Sequence, residues 1–166
     1  MKKTVGKVKK PEKAKGKITF KLNISGHPEY AQMYIRMYEK YHDPVMIQPT
    51  IARVDSIVAK PSKARLWLGA KNWSERWSWC DALFMAPPVY GQLNKLYPEK
   101  NYLDFMDREF REATDSLYDA DAGLYYRDRR YIPKKEKNGE KVFWGRGNGR
   151  EPERIYVPEP AMRSIW

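Results

Sequence analysis

Trp73-Ser-Glu-Arg-Trp77-Ser-Trp79-Cys80-Asp81-Ala-Leu-Phe-Met85-Ala-Pro-Pro-Val-Tyr90 opens with three of the chain's six tryptophans inside seven residues, and a carboxylate follows two positions after the last. Each indole offers flat apolar surface and one N–H donor, which suits the C–H face of a sugar ring. A carboxylate beside such rings loses hydration, so its pKa is expected to rise toward the range of a general acid. A plainer reading fits the same residues: a Trp-rich core seam, with Asp81 capping a helix that starts at Ala82. Either way the run from Asp81 to about Leu96 reads as a helix with Pro87 and Pro88 early in it, and this helix anchors the fold.

The flanking segments carry helical periods as well. Tyr30, Met33, Tyr34, Met37, Tyr38 and Tyr41 recur at three- and four-residue steps, which predicts an amphipathic helix entered through Pro28. Asp43-Pro44 reads as an N-cap followed by proline at the first helical position. Ile47, Ile51, Val54 and Val58 form the stripe of that second helix, and Pro49 predicts a kink or a later start. Lys60–Ser78 reads as a loop with Trp67, Trp73 and Trp77. Leu103, Met106, Phe110, Ala113 and Leu117 give the clearest helix, over 101–117. Two helical hairpins over 28–59 and 80–117 are expected to pack through Tyr34, Met37, Val54, Phe84, Leu93, Met106 and Phe110. Residues 119–143 are turn-rich, with a short β-hairpin suggested at Asn138-Gly139. From Gly145 onward the chain reads as irregular. Helical pairs of this length could belong to a solenoid, but the helices are not self-similar at one fixed period.

Charge is unevenly spread. The net charge is +11, yet residues 1–21 hold nine lysines and one acid, leaving 23 basic against 20 acidic residues in the rest. Residues 1–21 therefore read as a basic, disordered arm, 22–149 as the folded domain and 150–166 as a divergent, irregular tail. The arm could touch polyanions non-specifically, but no motif for specific nucleic-acid recognition is present. Hydrophobic residues make up 42% and aromatics 14%, enough for a core. One cysteine, Cys80, allows no internal disulfide. No apolar leader or membrane span is seen, which makes the cytoplasm the default compartment. His27 and His42 stand too far apart for a metal site and read as a turn residue and a helix-end residue.

Trp79-Cys80-Asp81-Ala-Leu-Phe-Met85-Ala-Pro-Pro-Val-Tyr90 resembles the catalytic segment of the unsaturated rhamnogalacturonyl hydrolases, glycoside hydrolase family 105, related to family 88. Val142-Phe-Trp-Gly-Arg146-Gly-Asn-Gly149 resembles the Arg-Gly-Asn-Gly signature downstream in the same family, and the resemblance runs from about Tyr30 to Gly149. It implies an all-α fold: a partial (α/α)6 toroid with irregular loops, whose loops at one end line a sugar cleft. It also implies a reaction unlike that of ordinary two-carboxylate glycosidases. The family hydrates the C4–C5 double bond of an unsaturated uronic acid, and pectin (rhamnogalacturonan) fragments are the implied substrates. Asp81 matches the catalytic position, and no cofactor or metal is implied. Trp79, Trp144, Arg146, Asn148 and Arg127 are the implied substrate-binding residues, with the Arg146 guanidinium a planar match for the uronate carboxylate. Arg127-Asp128 stands where many members have a substrate-contacting His; its plainer reading is a surface ion pair. For Arg-Gly-Asn-Gly the plainer reading is a tight turn.

The chain departs from the family at both ends. The segment expected to bring a second acidic residue reads Ser25-Gly-His-Pro-Glu29, without Asp, and Trp does not follow Gly149. Twelve helices of about 12 residues with connections of about 5 need roughly 200 residues, so a complete ring is not expected here. The expectation is a truncated, frameshifted or split gene, with self-association or a complementary fragment filling the ring. The alternative function is a non-catalytic helical module that binds carbohydrate or protein.

Overall fold

The computed structural model describes residues 28–67 and 76–149. The expected arm over 1–21, His27, Trp73 and the tail over 150–166 lie outside the described residues. Helix α1, Pro28–Tyr41, begins at a proline whose missing N–H costs nothing in a first turn. Ala31 and Ile35 on its inner face are fully buried. The chain turns at His42, whose backbone is left-handed with φ 54°. Asp43 then caps α2, Pro44–Ala59, by accepting a hydrogen bond from the Val45 N–H at 3.0 Å. Such a cap stabilises a helix by about 1 kcal/mol. The helix neither starts late nor stops at Pro49, which lies on an exposed face where water can serve the carbonyl that proline leaves without a donor.

One expected helix is two. α3, Cys80–Met85, and α4, Pro87–Leu96, are separated at Ala86, because Pro87 and Pro88 lack the N–H groups that would carry the ladder across. Helix α5, Tyr102–Leu117, closes the helical body, and its start is tied to α2 at Asp55. Asp55 accepts from Tyr102 Oη at 2.5 Å and from Lys100 Nζ at 2.7 Å. α1 packs on α2 and α4, while α5 packs on α3 and α4. The core lies between them around Ile47, Val54, Trp77, Val89, Leu93 and Met106.

Two packing expectations change. Met37 and Phe84 are half-buried and stand outside the central cluster. On α5 the buried stripe is rotated: Phe105 and Glu109 are buried, while Leu103 and Phe110 are only partly so. Phe105 stacks on Tyr90, with ring centroids 5.3 Å apart. Glu109 is drawn inward by Arg76, whose Nε donates to it at 2.8 Å. Arg76 also donates to the carbonyl of Ala64 at 2.6 Å and to Glu112, which ties the loop after α2 to α5. Burial raises the Glu109 pKa, and the Arg76 contact pulls in the opposite direction.

Beyond α5 come two small hairpins. β1, Tyr118–Asp119, pairs antiparallel with β2, Leu124–Tyr125, through a turn at Gly123. The hairpin expected at Asn138-Gly139 is present as a bridge between Lys135 and Lys141, with Gly139 at φ 88°. Asp119 joins the two, accepting from Lys141 Nζ and from Tyr126 Oη, both at 2.7 Å on Oδ2. A four-residue helix α6, Gly145–Asn148, replaces the start of the expected irregular segment.

Candidate active site

The site forms where α3, the segment after β2, and α6 meet. Trp79 occupies the cap position of α3 with an extended backbone, and the Cys80 N–H donates to the Arg127 carbonyl at 3.0 Å. That one bond sets the start of α3 against the chain leaving β2. Asp81 is therefore not the N-cap of a helix at Ala82; it stands inside the first turn of α3, where a carboxylate is favoured by the exposed N–H groups. The tryptophans divide their work. Trp77 is a core residue, buried against Tyr90 with ring centroids 5.9 Å apart, whereas Trp79 is half-buried at the site.

Helix α6 docks through Asn148. Its Oδ1 accepts from the Tyr125 N–H at 2.7 Å, and its Nδ2 donates to the carbonyls of Tyr125 at 2.9 Å and Trp144 at 3.1 Å. The side chain thus continues the β2 edge and spends both amide hydrogens on backbone. Gly147 allows the approach: a Cβ there would stand 2.5 Å from Cys80 Sγ and 3.5 Å from Asp81 Oδ1. The Arg-Gly-Asn-Gly block is a turn, but one pressed directly on the segment that bears Asp81.

Docked this way, α6 presents Arg146 with Nη2 4.0 Å from Asp81 Oδ2, and the Arg146 guanidinium lies 4.3 Å from the centre of the Trp144 ring. Asp81's side chain is 16% exposed and Arg146's 67%, so the carboxylate is recessed beneath a mobile-length cation at the surface. An ion pair this exposed contributes about 0–1 kcal/mol to stability.

Arg127 sits at the centre of an aromatic cluster, 4.6 Å from the Tyr131 ring centre, 5.9 Å from Trp144 and 6.0 Å from Trp79. Its partner Asp128 is 1% exposed, which makes the pair an anchored one and not a surface ion pair. Burial alone would raise the Asp128 pKa, but hydrogen bonds from Arg130 and Arg127 outweigh it and hold the carboxyl below its usual value. Burial, and then the charge of Asp81, push the Cys80 thiol up to about 12, so it stays a neutral packing group.

The structure therefore brings Asp81, Trp79, Trp144, Arg146 and Arg127 into one cluster, with Asn148 beneath it. Sequence reading missed Tyr131, which faces Arg127, and the Asp128–Arg130 pair that braces it. An aromatic four residues after Arg127 was the available signal. Glu29, the one acidic residue of the segment where the family brings a second acid, lies in α1, while Ser25, Gly26 and His27 before it fall outside the described residues. Among the described residues, no group of three or more His, Cys, Asp and Glu could hold a metal ion, and no helix is long and apolar enough to cross a membrane.

Comparison with known proteins bears on this cluster. An unsaturated 3S-rhamnoglycuronyl hydrolase of Alteromonas sp. (strain LOR) is 38% identical over 130 residues, covering 72% of this chain and 32% of its own. A protein of the same name from Formosa agariphila is 37% identical over 128 residues, covering 72% of this chain and 34% of its own. A solved glycosyl hydrolase family 88 structure from Bacteroides vulgatus superposes with a TM-score of 0.65 at 25% identity, over 78% of this chain and 34% of its own. A solved structure named as a polysaccharide lyase gives 0.60 at 30% identity, over 71% of this chain and 31% of its own. The chain thus spans about a third of the length of the relatives it matches, and its helical hairpins are part of an (α/α)6 toroid. The sequence resemblance is borne out: the model of Glycosyl Hydrolase Family 88 matches residues 2–150, and the chain belongs to that family.

Proposed function

We propose that this chain carries the catalytic carboxylate of a hydrolase acting on unsaturated uronyl oligosaccharides, with Asp81 as the acid and base. The observation that carries this reading is the recessed Asp81 carboxylate with the Arg146 guanidinium 4.0 Å away, the guanidinium lying over the indole of Trp144. In this reading Arg146 takes the uronate carboxylate through two parallel N–H bonds, and Trp79 and Trp144 wall the sugar ring. Protonated Asp81 delivers its proton to C4, and the C4–C5 double bond supplies the electron pair for the new C–H bond. Water adds to the cation left at C5 and returns a proton to Asp81. The resulting hemiketal opens, and the aglycone leaves from C1. Asn148 acts as a positioning residue, since its amide hydrogens are committed to backbone. The names of the Alteromonas and Formosa relatives support a rhamnose-linked uronyl substrate. In a family toroid the exposed Met33 and Tyr41 on α1 would meet a further helix, from a complementary segment or a second copy.

The test is the ultraviolet absorbance of the conjugated double bond in an unsaturated uronyl disaccharide, followed with the chain and with its Asp81→Asn variant. Loss of absorbance that the variant lacks supports the reading. Binding without loss favours the non-catalytic carbohydrate-binding alternative. The likeness to a polysaccharide lyase supports a second reading, in which absorbance would instead appear as a uronate polymer is cleaved.

A further inference from the structure

Asp81 stands a short way along the chain from Arg76, on a segment fixed at both ends. Arg76 is buried, and its guanidinium reaches two other parts of the fold in three directions. Nε donates to Glu109 on α5 at 2.8 Å, Nη1 donates to the Ala64 carbonyl in the loop after α2 at 2.6 Å, and Nη2 donates to Glu112, further along α5. A planar fork held on three sides fixes its orientation, which a single ammonium could not do. The backbone beyond it is held as closely. The Ser78 N–H closes a tight turn on the Arg76 carbonyl at 2.8 Å, and the Trp77 indole is buried against Tyr90. The Cys80 N–H then donates to the Arg127 carbonyl at 3.0 Å. Trp79 is presented between these fixed points, and Asp81 follows the last of them.

The network contributes orientation more than stability. A buried ion pair often holds a core no better than apolar residues of the same volume, so stability alone gives little reason for charge at both Arg76 and Glu109. Helix α5, which takes two of the three guanidinium contacts, also packs on α3. Arg76 therefore sets where the Trp79–Asp81 segment lies relative to the helix behind it.

We propose that Arg76 is a positioning residue for the candidate site: through its contacts with Glu109, Glu112 and Ala64 it places Trp79 and Asp81, and it acts through the backbone without touching substrate. This inference rests on the proposed function, in which Asp81 is the acid. A misplacement of about 1 Å near a reacting group can cost about a hundredfold in rate, so an anchor this close should be felt in kcat.

The experiment compares the whole chain with Arg76→Lys, and with a paired variant carrying Arg76→Met and Glu109→Leu. Lysine keeps a charge beside Glu109 but loses the fork, and the paired variant removes both charges without stranding either in the core. Amide hydrogen exchange is followed at Cys80 and at Tyr126, whose N–H bonds the Leu117 carbonyl at 2.9 Å away from Arg76's contacts. In Arg76→Lys, exchange at Cys80 should quicken about tenfold or more while Tyr126 stays unchanged, because the loosening is local. Turnover of an unsaturated uronyl disaccharide should lose about tenfold or more in kcat in both variants, with KM within about twofold, while the paired variant melts close to wild type. An equal change at both amides, or none at Cys80, overturns the positioning role. So does a paired variant that recovers full turnover along with its stability. If the paired variant does not fold, the lysine variant decides by the same two readouts. Wild-type chain that leaves the disaccharide intact overturns the proposed function, and the exchange at Cys80 against Tyr126 still decides whether Arg76 places the segment.

Discussion

Asn148 grips Tyr125 from both sides of its peptide unit, accepting from the N–H at 2.7 Å and donating to the carbonyl at 2.9 Å. These two residues are 23 positions apart, and through them the Arg-Gly-Asn-Gly turn is fastened to the hairpin that also holds α3. Asn148→Asp keeps the acceptor but loses the donor, so two part-buried carbonyls face a carboxylate. We expect about 1–3 kcal/mol of destabilisation in urea titration, with sugar binding weakened as Arg146 loses its place. Unchanged stability and binding would remove the positioning role.

Gly147 is expected to tolerate no side chain. Gly147→Ala would set a Cβ 2.5 Å from the Cys80 sulfur, and overpacking of this kind costs about 1–3 kcal/mol. Cys80→Ala should relieve part of that cost. A double-mutant cycle with no coupling between the two positions would contradict the contact.

Asp81→Asn should abolish turnover while circular dichroism stays unchanged, because the amide cannot give and reclaim a proton and Asp81 caps no helix. Arg146→Ala should act mainly by raising KM, as expected for a group that binds ground state and transition state alike. An active Asp81→Asn enzyme would rule out the assigned acid.

Asp119 predicts how the hairpin region responds to acid. Hydrogen bonds from Lys141, Tyr126 and the Ala122 N–H lower its pKa from 3.8 to about 2. A depressed carboxylate lends stability that is present above its unfolded value and lost as pH falls through the folded one. The advantage of wild type over Asp119→Asn in denaturation midpoint should therefore be full at about pH 5, mostly lost by about pH 2 and gone below it. An advantage that grows with acid would reverse the assignment.

The helices were legible because their determinants are local. Asp43-Pro44 writes a cap and a first turn within three residues, and Pro87-Pro88 forces a break that only its position relative to α3 left to be found. The exposed and buried faces of α5 were less legible, since Glu109 is buried only where Arg76 arrives from another segment to meet its charge. Leu103 and Phe110, which share the same helical period as Met106, consequently end up half-buried.

The candidate site divides along the same line. Sequence by itself determined which side chains can do chemistry: the order of residue types around Asp81 and Arg146 names an acid and a cation, and those properties belong to the side chains wherever they stand. Tertiary structure alone decided their relations. That Asn148 is a clamp, that Gly147 must be bare and that Arg127 is braced by Asp128 and faced by Tyr131 all depend on distances between segments remote in the chain. Hydrogen bonding and steric exclusion act over a few ångströms of space, and only the packing of the chain decides which residues come that close.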